Sequence, residues 1–235
     1  MNHPKRVYKQ SHIPLQKSLF NDVLNKRLSE VAELEALMAA SSLKKVLADN
    51  DLNIVTAESL TAGMIAKILV DIPGDGRTLY GGFITYDTKS KRQFIDVDTS
   101  GDYSILMAQQ MAAGALENSQ AMVSVAVSGD AMPTPDHKDR LGIVYIGVAL
   151  RLIDHTLIYG RQVNFCEIPE IQQLCDTWKS LNQNNSGMSY APFQLTSMVA
   201  DYIRLKTVAE ACNETHALIL DSINKQMKWN TNIMS

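Results

Sequence analysis

Cysteine is scarce in this chain, and so are glycine, aromatics and any excess of positive charge. The 235 residues hold three cysteines, 12 glycines and 6% aromatics, with 22 Lys and Arg against 25 Asp and Glu. Three cysteines (Cys166, Cys175, Cys212) argue against a disulfide-stapled secreted module and for a soluble protein of a reducing compartment, the cytoplasm. A net charge of −3 gives no basic field, so no nucleic-acid partner is expected. No apolar run nears the roughly 20 residues that cross a bilayer, so no membrane partner is expected either. The first twelve residues carry Lys5, Arg6 and Lys9 without an apolar stretch, so no secretory signal is expected. There is no G-x-x-x-x-G-K phosphate loop and no G-x-G-x-x-G after a strand, so no cofactor is expected. What is abundant is apolar surface: 46% of residues are hydrophobic, enough for a sizeable core.

Along the chain, residues 1–14 read as a polar arm. From Leu15 the apolar residues Leu19, Val23, Leu24, Leu28, Val31, Leu34 and Met38 recur at helical spacing. That stripe exceeds what a small domain needs, which predicts a homo-oligomer. Ser41-Ser42 is placed to cap a second helix ending near Ala48. Strands are expected at 52–57, 78–86, 122–128, 142–150 and 155–165, and helices at 61–72 and 102–118. A polar loop with Asn182–Gly187 and Pro192 then leads into a last helix, 193–227. Strand–helix alternation closed by a hairpin predicts a layered α/β/α domain with a mixed sheet. The expected organisation is an arm and extra helix at 1–35, then one domain at 36–235 with an insertion near 167–192.

Chemistry concentrates at Ala57-Glu58-Ser59-Leu60-Thr61-Ala62-Gly63, where a strand enters a helix with a serine at the bend. Unpaired N–H groups at a helix start can hold an oxyanion when a hydroxyl attacks a carbonyl. Equally, Ser59 or Thr61 can be a plain N-cap. A serine nucleophile needs a base, and no histidine is well placed by pattern. The stretch Tyr86-Asp-Thr-Lys-Ser-Lys91 offers lysines near the first strand's end; alternatively Lys89, Lys91 and Arg92 form a solvated basic turn. Cys212 and His216 lie i, i+4 on the last helix without further ligands at motif spacing, so packing is expected there and no metal.

The segment Val55-Thr-Ala-Glu-Ser-Leu-Thr-Ala-Gly63 resembles the T-A-E-S-C-T-G-G signature of the CinA C-terminal domain family, the nicotinamide-nucleotide amidohydrolases. Further matches follow in family order: Asp71-Ile-Pro-Gly74, Gly82 to Tyr86 with Lys91, Met111-Ala-Ala-Gly-Ala115, Ser124 to Gly129, and Gly142-Ile-Val-Tyr145. They cover about residues 36–166. The resemblance implies a Ser59 nucleophile, a Lys91 general base and an assisting Tyr86. It also implies substrate contacts from Glu58, Thr61, Ala62, Gly63, Gly129 and, for a phosphate, Arg204. The implied reaction deamidates nicotinamide mononucleotide, so the expected partner is a small nucleotide-like molecule.

This chain departs from the family pattern at Leu60, Ala62 and Asp87-Thr88, and above all after Gly129. There the family's glycine-rich loop is replaced by Asp130-Ala-Met-Pro-Thr-Pro-Asp-His137. Prolines remove donors, and Asp130 and Asp136 would repel phosphate. A second reading follows, in which the fold persists as a ligand-binding or protein-interaction module without turnover.

Overall fold

The structure is a computed structural model that describes residues 22–98, 103–132, 135–181 and 193–233. The expected arm at 1–14, the helix start at Leu15 and the polar loop with Asn182–Gly187 and Pro192 lie outside the described residues. In chain order the elements are α1 (Asp22–Asp49), β1 (Ile54–Glu58), α2 (Met64–Asp71), β2 (Leu79–Ile84), α3 (Thr88–Ile95) and α4 (Ile105–Glu117). Then come β3 (Val123–Gly129), β4 (Ile143–Arg151), β5 (Thr156–Asn164), α5 (Pro169–Leu181) and α6 (Phe193–Ile233).

The five strands form one mixed sheet in the order β2-β1-β3-β4-β5. β1 pairs parallel with β2 and with β3, while β3–β4 and β4–β5 are antiparallel. The α/β class and mixed sheet agree with the sequence reading. After β1 the chain steps to β2 on one side, then returns to β3 on the other. The carboxyl end of β1 is therefore a topological switch point, where open α/β sheets place their ligands.

Side-chain alternation decides which helices cover which face. Val123, Val125 and Val127 of β3 and Val144, Ile146 and Val148 of β4 join a large core with α1, α2 and α6. The opposite face presents the small residues Ala57, Ala126 and Ala149 to Met107, Met111, Ala112 and Ala115 of α4 and to Ile95 of α3. The small face lets α4 come close: a Cβ on Gly147 would stand 2.0 Å from the Ala108 carbonyl oxygen.

Several sequence expectations need correction. α1 runs unbroken through Ser41-Ser42, where Ser42 Oγ donates to the Met38 carbonyl at 3.1 Å instead of capping a new helix. The expected boundary at 35/36 falls inside this helix. Ala32, Ala36, Ala39, Ala40 and Leu43 are buried in the core it shares with α6, and Lys206 Nζ reaches Glu35 at 2.6 Å. Val31, Leu34 and Met38 of the apolar stripe face outward. The first domain helix starts at Met64, later than Thr61, because Ala62 (φ 51°) and Gly63 (φ 97°) take a left-handed turn first. Lys89, Lys91 and Arg92 are not a basic turn; they belong to α3, which Asp87 caps by accepting from Lys89 N. Cys166 and Cys175, for which the sequence suggested no pairing, form a disulfide across a Cα–Cα distance of 5.9 Å. A 3-10 turn at Phe165–Glu167, closed by Ile168 N to Phe165 O, folds the chain back and brings them together.

Candidate active site

Three strand ends converge at the switch point. Ser59 N donates to Val127 O of β3 at 3.1 Å, and Thr85 N, just past β2, donates to Glu58 O at 2.9 Å. The bend is therefore held by the strands on both sides.

Glu58 is fully buried, and its carboxylate turns away from the sheet onto the start of α2. Oε2 accepts from Thr61 Oγ1 (2.7 Å), Gly63 N (3.0 Å) and Ile65 N (3.0 Å), and Oε1 from Ala66 N (3.0 Å). The free N–H groups of a helix's first turn carry partial positive charge, so a carboxylate is the strongest cap available to them. The cap that sequence reasoning sought in Ser59 or Thr61 is supplied by Glu58. Lys44 of α1 does the converse at the other end: its Nζ donates to Leu69 O (2.9 Å) and Ile72 O (2.6 Å). The Glu58 cap is local, three to eight positions from its partners, whereas Lys44 reaches across 25 and 28 positions.

With Glu58 turned inward, the Ser59 hydroxyl is left to face α3. Lys91 Nζ lies 3.3 Å from Ser59 Oγ and 3.4 Å from the Tyr86 carbonyl oxygen. It sits over the Tyr103 ring, 5.6 Å from the centroid. Both side chains are covered, with Ser59 and Lys91 each 2% exposed. Burial pushes the Lys91 pKa below its ordinary 10.5, because a buried ammonium loses its hydration; Asp87 and Asp130 pull it partly back. A lysine so placed can be neutral often enough to accept a proton from a serine hydroxyl.

The other residues singled out from sequence fall as follows. Tyr86 presents its carbonyl to Lys91, while the residue is 75% exposed and its ring points outward. Thr61 is buried with its hydroxyl on Glu58. Ala62 is exposed, and the Gly63 N–H is spent on Glu58. Gly129 closes β3 at φ 141°, and a Cβ there would meet the Ile143 carbonyl oxygen at 2.4 Å, so β4 packing explains this glycine. Asp130 follows it, with its N bonded to Ile143 O and its carbonyl to Gly142 N. Residues 133 and 134 and the side chain of Asp136 lie outside the described residues. Arg204 does reach the site from α6, but its Nε donates to the Leu60 carbonyl (3.0 Å) and its Nη1 to Asp201 (3.0 Å). Cys212 is fully buried, which pushes its thiol up to about 12, the behaviour of a packing residue.

Comparison with known proteins adds ancestry to this geometry. Residues 37–165, more than half of the chain, match the model of the CinA C-terminal domain. A "putative competence-damage inducible protein" of Lysinibacillus sphaericus is 33% identical over 138 residues, covering 52% of this chain and 33% of that protein. A "CinA-like protein" of Leptospira interrogans is 34% identical over 153 residues, covering 61% and 36%. The chain thus spans about a third of the curated relatives it matches. Among solved structures, the competence/damage inducible protein CihA of Agrobacterium tumefaciens superposes with a TM-score of 0.59 at 26% identity, covering 78% of this chain and 95% of that one. A CinA superfamily protein of Enterobacter cloacae shares the fold over 93% of this chain and 99% of its own, with a TM-score of 0.56 at 18% identity.

Proposed function

Since the chain belongs to the CinA C-terminal domain family, we propose that it is a serine–lysine amidohydrolase that deamidates nicotinamide mononucleotide or a closely related amide. The observation that carries this reading is the 3.3 Å approach of a buried Lys91 Nζ to Ser59 Oγ at the switch point. Neutral Lys91 takes the hydroxyl proton as Ser59 Oγ attacks the carboxamide carbon. The oxyanion is held by backbone N–H groups of the bend. Collapse breaks the C–N bond, and Lys91 returns its proton to the departing ammonia. Water then attacks the acyl-serine, losing a proton to Lys91; the C–O bond to Ser59 breaks as Lys91 returns that proton to Ser59 Oγ, and the acid leaves. The net change is amide plus water to acid plus ammonia.

The test is release of ammonia and nicotinate mononucleotide from pure protein, with Ser59→Ala and Lys91→Met alongside. No product above background rejects the activity. Equal rates for wild type and Ser59→Ala reject the serine.

A second reading has its own support. Ser59 and Lys91 are each 2% exposed, so the pair as it stands presents little surface to a substrate. Asp130 also stands where the family places an uncharged residue. Both features favour a ligand-binding or interaction module without turnover, which the same assay separates. Self-association has support in the outward-facing Val31, Leu34 and Met38; a monomer by light scattering would remove it.

A further inference from the structure

We propose that Arg204 is a positioning residue that aims the Leu60–Thr61 peptide, so that the Thr61 N–H becomes an oxyanion donor beside Ser59. The proposal rests on the amidohydrolase reading and adds a role to a residue far from the bend in sequence.

Hydrogen bonding around the bend narrows the choice of donors. The N–H of Ser59 goes to Val127 O, that of Ala62 to Ser59 O and that of Met64 to Thr61 O. Those of Gly63, Ile65 and Ala66 go to Glu58. Among the described residues, the N–H groups of Leu60 and Thr61 make no hydrogen bond. They lie one and two positions past the serine, at the start of the bend. An oxyanion donor must be held in place beforehand, since preorganisation is what makes it effective.

Arg204 supplies that hold. Among the described residues no peptide bond is cis. In a planar trans peptide the C=O and the following N–H point in opposite directions. The Arg204 Nε bond to Leu60 O therefore fixes the direction of the Thr61 N–H as well. α6 packs on the sheet face that carries α1 and α2, whereas Lys91 comes from α3 on the other face. A Leu60 carbonyl drawn toward α6 turns the Thr61 N–H away from α6, toward the side from which Lys91 meets Ser59. Asp201, bonded to Nη1, keeps the guanidinium in its place.

The experiment compares Arg204→Ala, Arg204→Lys and Asp201→Asn with wild type on nicotinamide mononucleotide and on the phosphate-free nicotinamide ribonucleoside. We expect Arg204→Ala to lower kcat by roughly 10- to 100-fold on both amides with KM within about 3-fold, a partial loss of an oxyanion donor. Arg204→Lys, which keeps one donor for Leu60 O, restores part of kcat, and Asp201→Asn loses less than Arg204→Ala. A rise in KM confined to the nucleotide, with kcat unchanged, makes Arg204 a phosphate ligand and overturns the proposal. Unchanged parameters overturn it too.

A second readout does not depend on the substrate. An alkyl fluorophosphonate forms a P–O bond to Ser59 Oγ and loses fluoride, the serine proton passing to Lys91, with the phosphoryl oxygen in the oxyanion position. If wild type turns over neither amide but is labelled at Ser59, the deamidase reading fails alone. Slower labelling of Arg204→Ala, by 10-fold or more, then still upholds the positioning role, and equal labelling rates sink it. Absence of labelling in wild type overturns both.

Discussion

Replacement of Glu58 tests the account of how this site is built. One buried carboxylate accepts four hydrogen bonds, three of them on Oε2 and one on Oε1. Hydrogen bonds to a charged group contribute about 1.5–3 kcal/mol each, so four give an upper bound of about 6–12 kcal/mol. Glu58→Ala does not reach that bound, since the start of α2 can fray and admit water. About 4 kcal/mol is expected, as for breaking a buried charged network. Glu58→Gln behaves differently. Its amide oxygen can take the place of Oε2 and keep three bonds, while its NH2 then faces the Ala66 N–H, donor against donor. One bond is lost and the other three lose their charge assistance, offset in part by the lower cost of burying an amide than a carboxylate, for a net loss of about 2 kcal/mol. Urea unfolding reads both as shifts in midpoint at constant slope. Heating should show melting lowered by about 4–8 °C for Gln and 8–16 °C for Ala, at roughly 2–4 °C per kcal/mol for a domain of this size. If both variants fall within about 0.5 kcal/mol of wild type, or if Gln costs as much as Ala, the cap does not hold the bend.

Three further outcomes follow from other parts of the molecule. Lys91→Met keeps the bulk and removes a desolvated ammonium, so it should be at least as stable as wild type at pH 7. Because burial holds the folded pKa below 10.5, the penalty on wild type is full below the folded pKa and fades as pH rises through it. The stability gap should thus narrow toward pH 10, and Ser59 labelling in wild type should rise along the same limb; a pH-independent gap refutes this. Gly114→Ala in α4 should gain about 0.5–1 kcal/mol from helix propensity alone. Its Cβ would lie 1.9 Å from the Ile95 carbonyl oxygen, so a net loss of about 1–3 kcal/mol is expected by denaturation, and a more stable variant refutes the close α3–α4 contact. Ala62→Gly, at φ 51° with the side chain in solvent, should stabilise by up to about 1 kcal/mol, and a measurable loss would show that the methyl group has a contact.

Residue order alone carried much of this protein. Hydrophobic periodicity located the strands and most helices, because strand alternation and the helical repeat are local properties of the chain. The alternation of large Val with small Ser and Ala in β3 already contained a thick core face and a thin one. The Ser59 bend was legible because a strand end, a serine and small residues lie in consecutive positions. The signature's resemblance supplied Lys91, Tyr86 and Arg204 as candidates.

Tertiary structure decided what those residues do. Residue types alone left Lys91 either a base or one cation of a solvated turn; α3 packs it against Ser59, 32 positions away. Glu58 looked like a substrate contact until its carboxylate was found on the start of α2. Arg204 meets Leu60 across 144 positions, and Cys166 meets Cys175 only because the chain reverses between β5 and α5. Ser41-Ser42 read as a cap, yet α1 continues because its buried alanines and Leu43 pack in one core with α6. Local sequence sets which conformations are cheap, whereas charge burial and close helix approaches depend on groups brought together only by the completed sheet.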